Sequence, residues 1–183
     1  LLVIPQALKD YSRALRLNPN EASIYLHRAT AYEALNDYRL SLGDYERALS
    51  YNPNNVDALF KRALLYYNFG NYEQSLQDLD NLLRLAPDDS SAYNNRGLIY
   101  YNQNNLSAAL KDFDQAIRLD PDDADAVYHK ACVLARMNQH DTSITWLSQA
   151  ISLDPEKRNE ARDNPDFEGL WYKPAFRRLF GYQ

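Results

Sequence analysis

The chain has 183 residues, enough to bury a sizeable core, and a formal net charge of −5 from 20 basic and 25 acidic side chains. That balance argues against a general nucleic-acid binder, which needs a basic face to release counterions from phosphates. No apolar run approaches the roughly 18 residues that cross a bilayer, and the single cysteine, Cys132, rules out an intrachain disulfide.

The opening residues 1–5 are too short for the apolar core of a signal peptide and follow no basic residue. A cytoplasmic location is therefore expected, with no direct membrane insertion. Prolines fall at 19, 53, 87, 121 and 155, a constant step of 34 residues. A fixed period of this size marks an array in which each unit stacks on the next.

In chain order, residues 1–21 carry one amphipathic helix and match only the second half of a repeat. Ala7, Tyr11, Ala14 and Leu17 occupy the places of Ala109, Phe113, Ala116 and Leu119 one period-multiple later. A lone second helix lacks the helix it normally packs on, so the chain is expected to be a fragment of a longer array. Four full units follow, at 22–55, 56–89, 90–123 and 124–157.

Each unit opens with a helix A bearing a bulky, small, bulky stripe: Tyr25, Ala29 and Tyr32 in the first, Leu59, Ala63 and Tyr66 in the second. Tyr93, Gly97 and Tyr100 repeat it, then Val127, Ala131 and Leu134. The i, i+4, i+7 spacing puts each set on one face, and the small residue lets a partner helix approach closely. Most of the fifteen tyrosines fall at such packing places and are expected in the core.

Asn36, Gly70, Asn104 and Asn138 punctuate the turn after helix A, because Asn and Gly enter the left-handed region most cheaply. Helix B repeats the device with Ser41/Tyr45/Ala48, Ser75/Leu79/Leu82, Ala109/Phe113/Ala116 and Ser143/Leu147/Ala150. Proline then stops it. Asn52, Asp88, Asp89, Asp122 and Asp123, beside those prolines, suit the N-terminus of the next helix.

The cations Arg28, Arg62, Arg96 and Lys130 recur in helix A, and Asp10, Asp44, Asp78 and Asp112 recur in helix B. The favoured reading is a ladder joining each aspartate to the cation of the next unit, with same-unit pairing as the competing geometry. Trp146 replaces the fourth-unit aspartate and is expected to pack on the aromatic C-terminal segment. Residues 158–183, where the period fails, read as a charged capping helix followed by an aromatic tail broken at Lys173-Pro174.

This 34-residue grammar resembles the tetratricopeptide repeat (TPR) family over residues 1 to about 157. The resemblance implies an all-α, right-handed superhelical solenoid of antiparallel helix pairs whose A helices line a concave groove. It implies a non-catalytic protein-interaction scaffold that holds a peptide or protein segment of unknown identity in that groove, with no nucleic acid and no cofactor. The alternative is a structural segment of a longer repeat protein, or self-association through the incomplete N-terminal edge.

The implied groove residues are Phe60, Leu64, Tyr67 and Asn68 from the second unit. Asn94, Asn95, Leu98, Tyr101 and Asn102 come from the third, and Tyr128 and His129 from the fourth. Amides pair with the backbone of an extended peptide whatever its sequence, and rings add apolar contact. The carboxylate clamp of some TPR co-chaperones is disfavoured, because Leu26 and Thr30, or Phe60 and Leu64, stand where its first Lys and Asn would be.

No phosphate loop, paired-cysteine metal motif or nucleophile elbow occurs. His129 and Cys132 lie one turn apart on a helix without an apparent third ligand, so neither a catalytic nor a metal site is expected.

Overall fold

The structure is a computed structural model that describes residues 3–182, the Val3 side chain excepted. Leu1, Leu2 and Gln183, the outermost residues of the expected 1–21 and 158–183 segments, lie outside the described residues. All regular elements among the described residues are helical. The chain divides into two compact units, Leu1–Pro87 and Asp88–Gln183.

The first unit contains α1 (Val3–Leu17), α2 (Ala22–Glu33), α3 (Tyr38–Tyr51), α4 (Val56–Asn68) and α5 (Tyr72–Leu85). The second contains α6 (Ser90–Asn102), α7 (Leu106–Leu119), α8 (Ala124–Arg136) and α9 (His140–Leu153). After these come α10 (Lys157–Asp163), a 3-10 segment (Pro165–Leu170) and α11 (Pro174–Leu179). Within each unit, consecutive helices pack as hairpins, α2 on α3, α4 on α5, α6 on α7 and α8 on α9.

The turns follow from single residues. Asn36, Gly70, Asn104 and Asn138 have φ of 61°, 75°, 59° and 59°. The residue after each donates its N–H five positions back, as in Asp37 to Tyr32 O (2.9 Å) and Asn105 to Tyr100 O (2.8 Å). This wraps the last carbonyls of helix A and reverses the chain.

Helix B ends because the residue before proline is driven to extended backbone: Asn52, Ala86, Asp120 and Asp154 have φ between −131° and −138°. Capping of the next helix differs in one place from expectation. Asp89 and Asp123 accept from the N–H groups of Ala92 and Ala126, but in the first unit Asn55, not Asn52, caps α4 through Ala58 N (2.9 Å). Asn52 is spent on ending α3.

The helix-B stripe is the core. Tyr45, Leu79, Phe113 and Leu147 are at most 1% exposed, as are their small neighbours Ser41, Ser75, Ala109 and Ser143. Ser75 and Ser143 donate to the carbonyls of Ala63 and Ala131 at 2.7 and 2.8 Å, which draws helix B against the small residue of helix A. At the third repeat that residue is Gly97, where a Cβ would sit 2.7 Å from Phe113 Cε1.

Two expectations are corrected. Tyr25, Tyr32, Tyr66, Tyr93 and Tyr100 are half-buried rather than core. Tyr25 OH reaches Pro19 O (3.0 Å), and Tyr66 OH reaches Glu46 Oε1 (3.3 Å). A phenol seats its ring and keeps its hydroxyl near water, so it belongs at the rim of a thin two-helix layer.

The three arginines of the charge ladder also do not pair between repeats. Arg28 grips Asp44 through two bonds of 2.6 and 2.7 Å; Arg62 grips Asp78 and Arg96 grips Asp112 in the same way. Each arginine and its aspartate lie eight residues on either side of the left-handed turn residue. An antiparallel hairpin sets such positions opposite one another, so the pair fastens helix A to helix B of one repeat.

In the fourth repeat the mirror position of Lys130 is Trp146, and the ammonium sits 3.5 Å from the indole centroid while also pairing with Asp114 (2.6 Å). The indole thus takes over the aspartate's role by a cation–π contact, and it packs against the core cluster that includes the tail residues Phe167, Leu170 and Phe176.

Candidate functional site

In the first unit, α4 places Phe60, Leu64 and Tyr67 half-buried and Asn68 exposed. The Tyr67 ring leans on Tyr72 of α5, with centroids 5.7 Å apart. Lys61, on the same helix, lies 3.9 Å from Glu33 of α2. The α4 face is therefore mixed, with Lys61 already facing a carboxylate.

In the second unit, α6 and α8 bring together most of the predicted residues. Asn95 spans one helical turn through a 2.8 Å bond from Nδ2 to Ser91 O. Asn94 Oδ1 lies 3.0 Å from His129 Nδ1 and so accepts from the ring. An amide makes up to four hydrogen bonds, so both asparagines are oriented by these contacts with capacity to spare. The His129 ring also packs against Phe113 at 5.4 Å. Burial depresses its pKa to about 4, with Asp125 opposing and Lys157 reinforcing the shift, which leaves the imidazole neutral near pH 7.

Tyr101 and Tyr128 are placed differently from expectation, because the C-terminal segment folds onto the helix-A face of the last repeat. Tyr128, 5% exposed, meets Phe167 edge-on at 5.9 Å, and its hydroxyl accepts from Asn164 Nδ2 (2.9 Å). Tyr101 donates its hydroxyl to Asp166, and Arg136 lies 4.6 Å from its ring centroid. Arg136 also reaches Asn104 Oδ1 (2.6 Å), Tyr101 O (3.3 Å) and Asp166 (3.9 Å).

Lys157, 7% exposed, pins α10 to Asp125 of α8 at 2.5 Å. The tail residues Asn164, Asp166 and Phe167 thus hold side chains that the repeat register alone offers to a partner. Burial raises the phenols of Tyr101 and Tyr128, the Cys132 thiol and the Asp166 carboxyl above their ordinary ranges.

What remains open beside this contact is a cavity of about 210 Å³. From α6 it is lined by Leu98, Tyr101 and Asn102. From α8 come Tyr128, His129 and Cys132, with Asn164 closing one wall. Five predicted residues therefore share one cavity, while Asn94 and Asn95, earlier on α6, lie outside its lining. Asn164 was missed in the sequence because it stands beyond the last period; its only signal is Asn-Pro, a turn opener whose side chain caps Asp166 N at 2.9 Å.

His129 and Cys132 do share a wall, yet His129 is engaged by Asn94, and Cys132 Sγ lies 3.4 Å from Asn164 Nδ2. No group of three or more metal-ligating side chains occurs among the described residues. No described helix is long and apolar enough to cross a membrane.

Tetratricopeptide repeat profiles match residues 26–90, 79–128 and 113–145, and a TPR repeat profile matches residues 4–36. A search of curated proteins returned no significant match. Among solved structures, the chain is similar to a tetratricopeptide repeat protein from Parabacteroides merdae (24% identity, TM-score 0.81, covering 97% of this chain and 70% of that one).

It is also similar to MamA from Desulfovibrio magneticus RS-1 (22%, TM-score 0.78, 84% and 86%). A further similar structure is YrrB, described as a TPR protein with an unusual peptide-binding site (16%, TM-score 0.75, 93% and 89%). The helix hairpins, the left-handed turn residues and the matched profiles agree: the chain belongs to the tetratricopeptide repeat family.

Proposed function

We propose that this protein is a non-catalytic protein-interaction scaffold that holds a peptide or protein segment on the helix-A faces of its repeats. The observation that carries the reading is the α6 face, where Asn94 and Asn95 are oriented by hydrogen bonds on the helix that also gives Leu98, Tyr101 and Asn102 to the lining of a cavity. Amides serve the backbone of an extended segment and the cavity serves a side chain. The α4 face supplies the same mixture through Phe60, Leu64, Tyr67 and Asn68. Membership of a repeat family and the peptide-binding description of YrrB support it.

The test is selection of binding peptides on the purified protein, followed by Asn95→Arg with Leu98→Asp. Binding should fall by at least an order of magnitude with helicity unchanged. Undiminished binding removes the α6 face from the site.

A second reading, stacking on further repeats or a second copy, rests on α1. Its Ala7, Tyr11 and Ala14 are half-buried, whereas their equivalents Ala109, Phe113 and Ala116 are 0% exposed. Sedimentation decides it, since a monomer at all accessible concentrations counts against self-association through α1.

A further inference from the structure

We infer that the cavity between α6, α8 and Asn164 is a subsite for one large uncharged side chain, aromatic by preference, contributed by the partner segment. This deepens the proposal above and rests on it for the identity of the ligand as a polypeptide.

Three observations converge. The first is size: at about 210 Å³ the cavity exceeds the roughly 150 Å³ that suffices for benzene in a protein interior. The second is the wall, which combines the rings of Tyr101 and Tyr128, Leu98 and the Cys132 thiol with the His129 imidazole and the amides of Asn102 and Asn164. That mixture suits a ring with a polar tip.

The third is charge. No carboxylate, ammonium or guanidinium lines the cavity, and those nearby are committed elsewhere. Arg136 faces Asp166 and binds Asn104 and the Tyr101 carbonyl, and Lys157 is paired with Asp125 and Glu160. His129, the one titratable base in the wall, is held by Asn94 and stays neutral at physiological pH. A charged side chain entering here would leave water without a counter-charge, whereas an uncharged ring has no charge to desolvate and a hydroxyl on it can bond to the lining amides.

The tail makes the subsite a property of this chain rather than of the repeat. Asn164 both closes the wall and ties itself to Tyr128 (2.9 Å) and Cys132 (3.4 Å). The helices α6 and α8 and the tail segment must therefore all be in place before the cavity exists.

The experiment uses small probes, so that it does not depend on finding the peptide. Titrate the full chain with p-cresol, n-butylammonium and acetate, following backbone and side-chain NMR shifts. The expected result is saturable millimolar binding of p-cresol with shifts centred on Leu98, Tyr128, His129 and Cys132. The two ions should bind at least an order of magnitude more weakly, and p-cresol binding should be lost in Leu98→Trp, which fills the volume. Should that variant lose helicity, Leu98→Ala replaces it and should weaken p-cresol binding several-fold by opening the wall.

Absence of saturation, equal binding of the ions, or shifts centred elsewhere overturns the inference. Cresol binding without any peptide binding at α6 leaves the subsite standing and sinks the peptide reading. A peptide bound on α6 whose strongest residue is charged does the reverse.

Discussion

Gly97→Ala is the sharpest probe of how closely the hairpins pack. An added Cβ would lie 2.7 Å from Phe113 Cε1 and 3.0 Å from Cδ1. The ring cannot simply withdraw, because Phe113 is 0% exposed and His129 packs against it at 5.4 Å. Overpacking of this kind costs about 1–3 kcal/mol, and replacing a helical glycine by alanine returns about 1 kcal/mol, so the variant should be destabilised by up to roughly 2 kcal/mol.

The control is Gly43→Ala, in the middle of α3, where a Cβ meets nothing within 4 Å. That variant should gain about 0.5–1 kcal/mol from helix propensity alone. The same chemical change thus carries opposite signs at two positions, read as opposite shifts of the urea midpoint at unchanged slope. If Gly97→Ala gains stability as Gly43→Ala does, the tight approach of α6 and α7 is wrong.

Three other outcomes follow from single contacts. Arg62→Ala should destabilise by about 3–5 kcal/mol, since it strands the Asp78 carboxylate, which is 3% exposed. A double-mutant cycle should show strong coupling of Arg62 to Asp78 and none to Asp44.

His129 has a folded pKa of about 4 against an ordinary 6.5, so between these values the unfolded chain binds the extra proton. Its contribution to stability is full above pH 6.5 and is lost as pH falls towards 4, by up to about 1.4 kcal/mol per unit. The raised carboxyl of Asp166 works in the opposite sense. His129→Gln should flatten this limb of the stability profile.

Tyr101→Phe removes the donor to Asp166 and should cost about 1–2 kcal/mol, with hydrogen exchange quickening first across residues 165–170.

Much of the fold was legible because one residue type per turn decides it. Asn36, Gly70, Asn104 and Asn138 stand out of the sequence, and their positive φ values follow from chemistry that only Asn and Gly tolerate cheaply. The partners of the arginines were equally legible once the turn is treated as a mirror. The inter-repeat ladder failed because it counted along the chain instead of across the hairpin.

The half-burial of Tyr25 and its equivalents was not legible from periodicity, which marks a face but not how deep it lies. Nor was the docking of Asn164, Asp166 and Phe167 on α8. Aperiodic segments carry no register, so the sequence marked the tail as a cap without showing which side chains of Tyr101, Tyr128 and Arg136 it would take.

The central claim is that partner segments lie on helix A. A photo-crosslinking residue placed at Asn95 on α6, and separately at Asn68 on α4, should capture a selected peptide. The same residue at Ser148 on the solvent side of α9 should not. Capture at Ser148 with none at Asn95 or Asn68 would contradict the account.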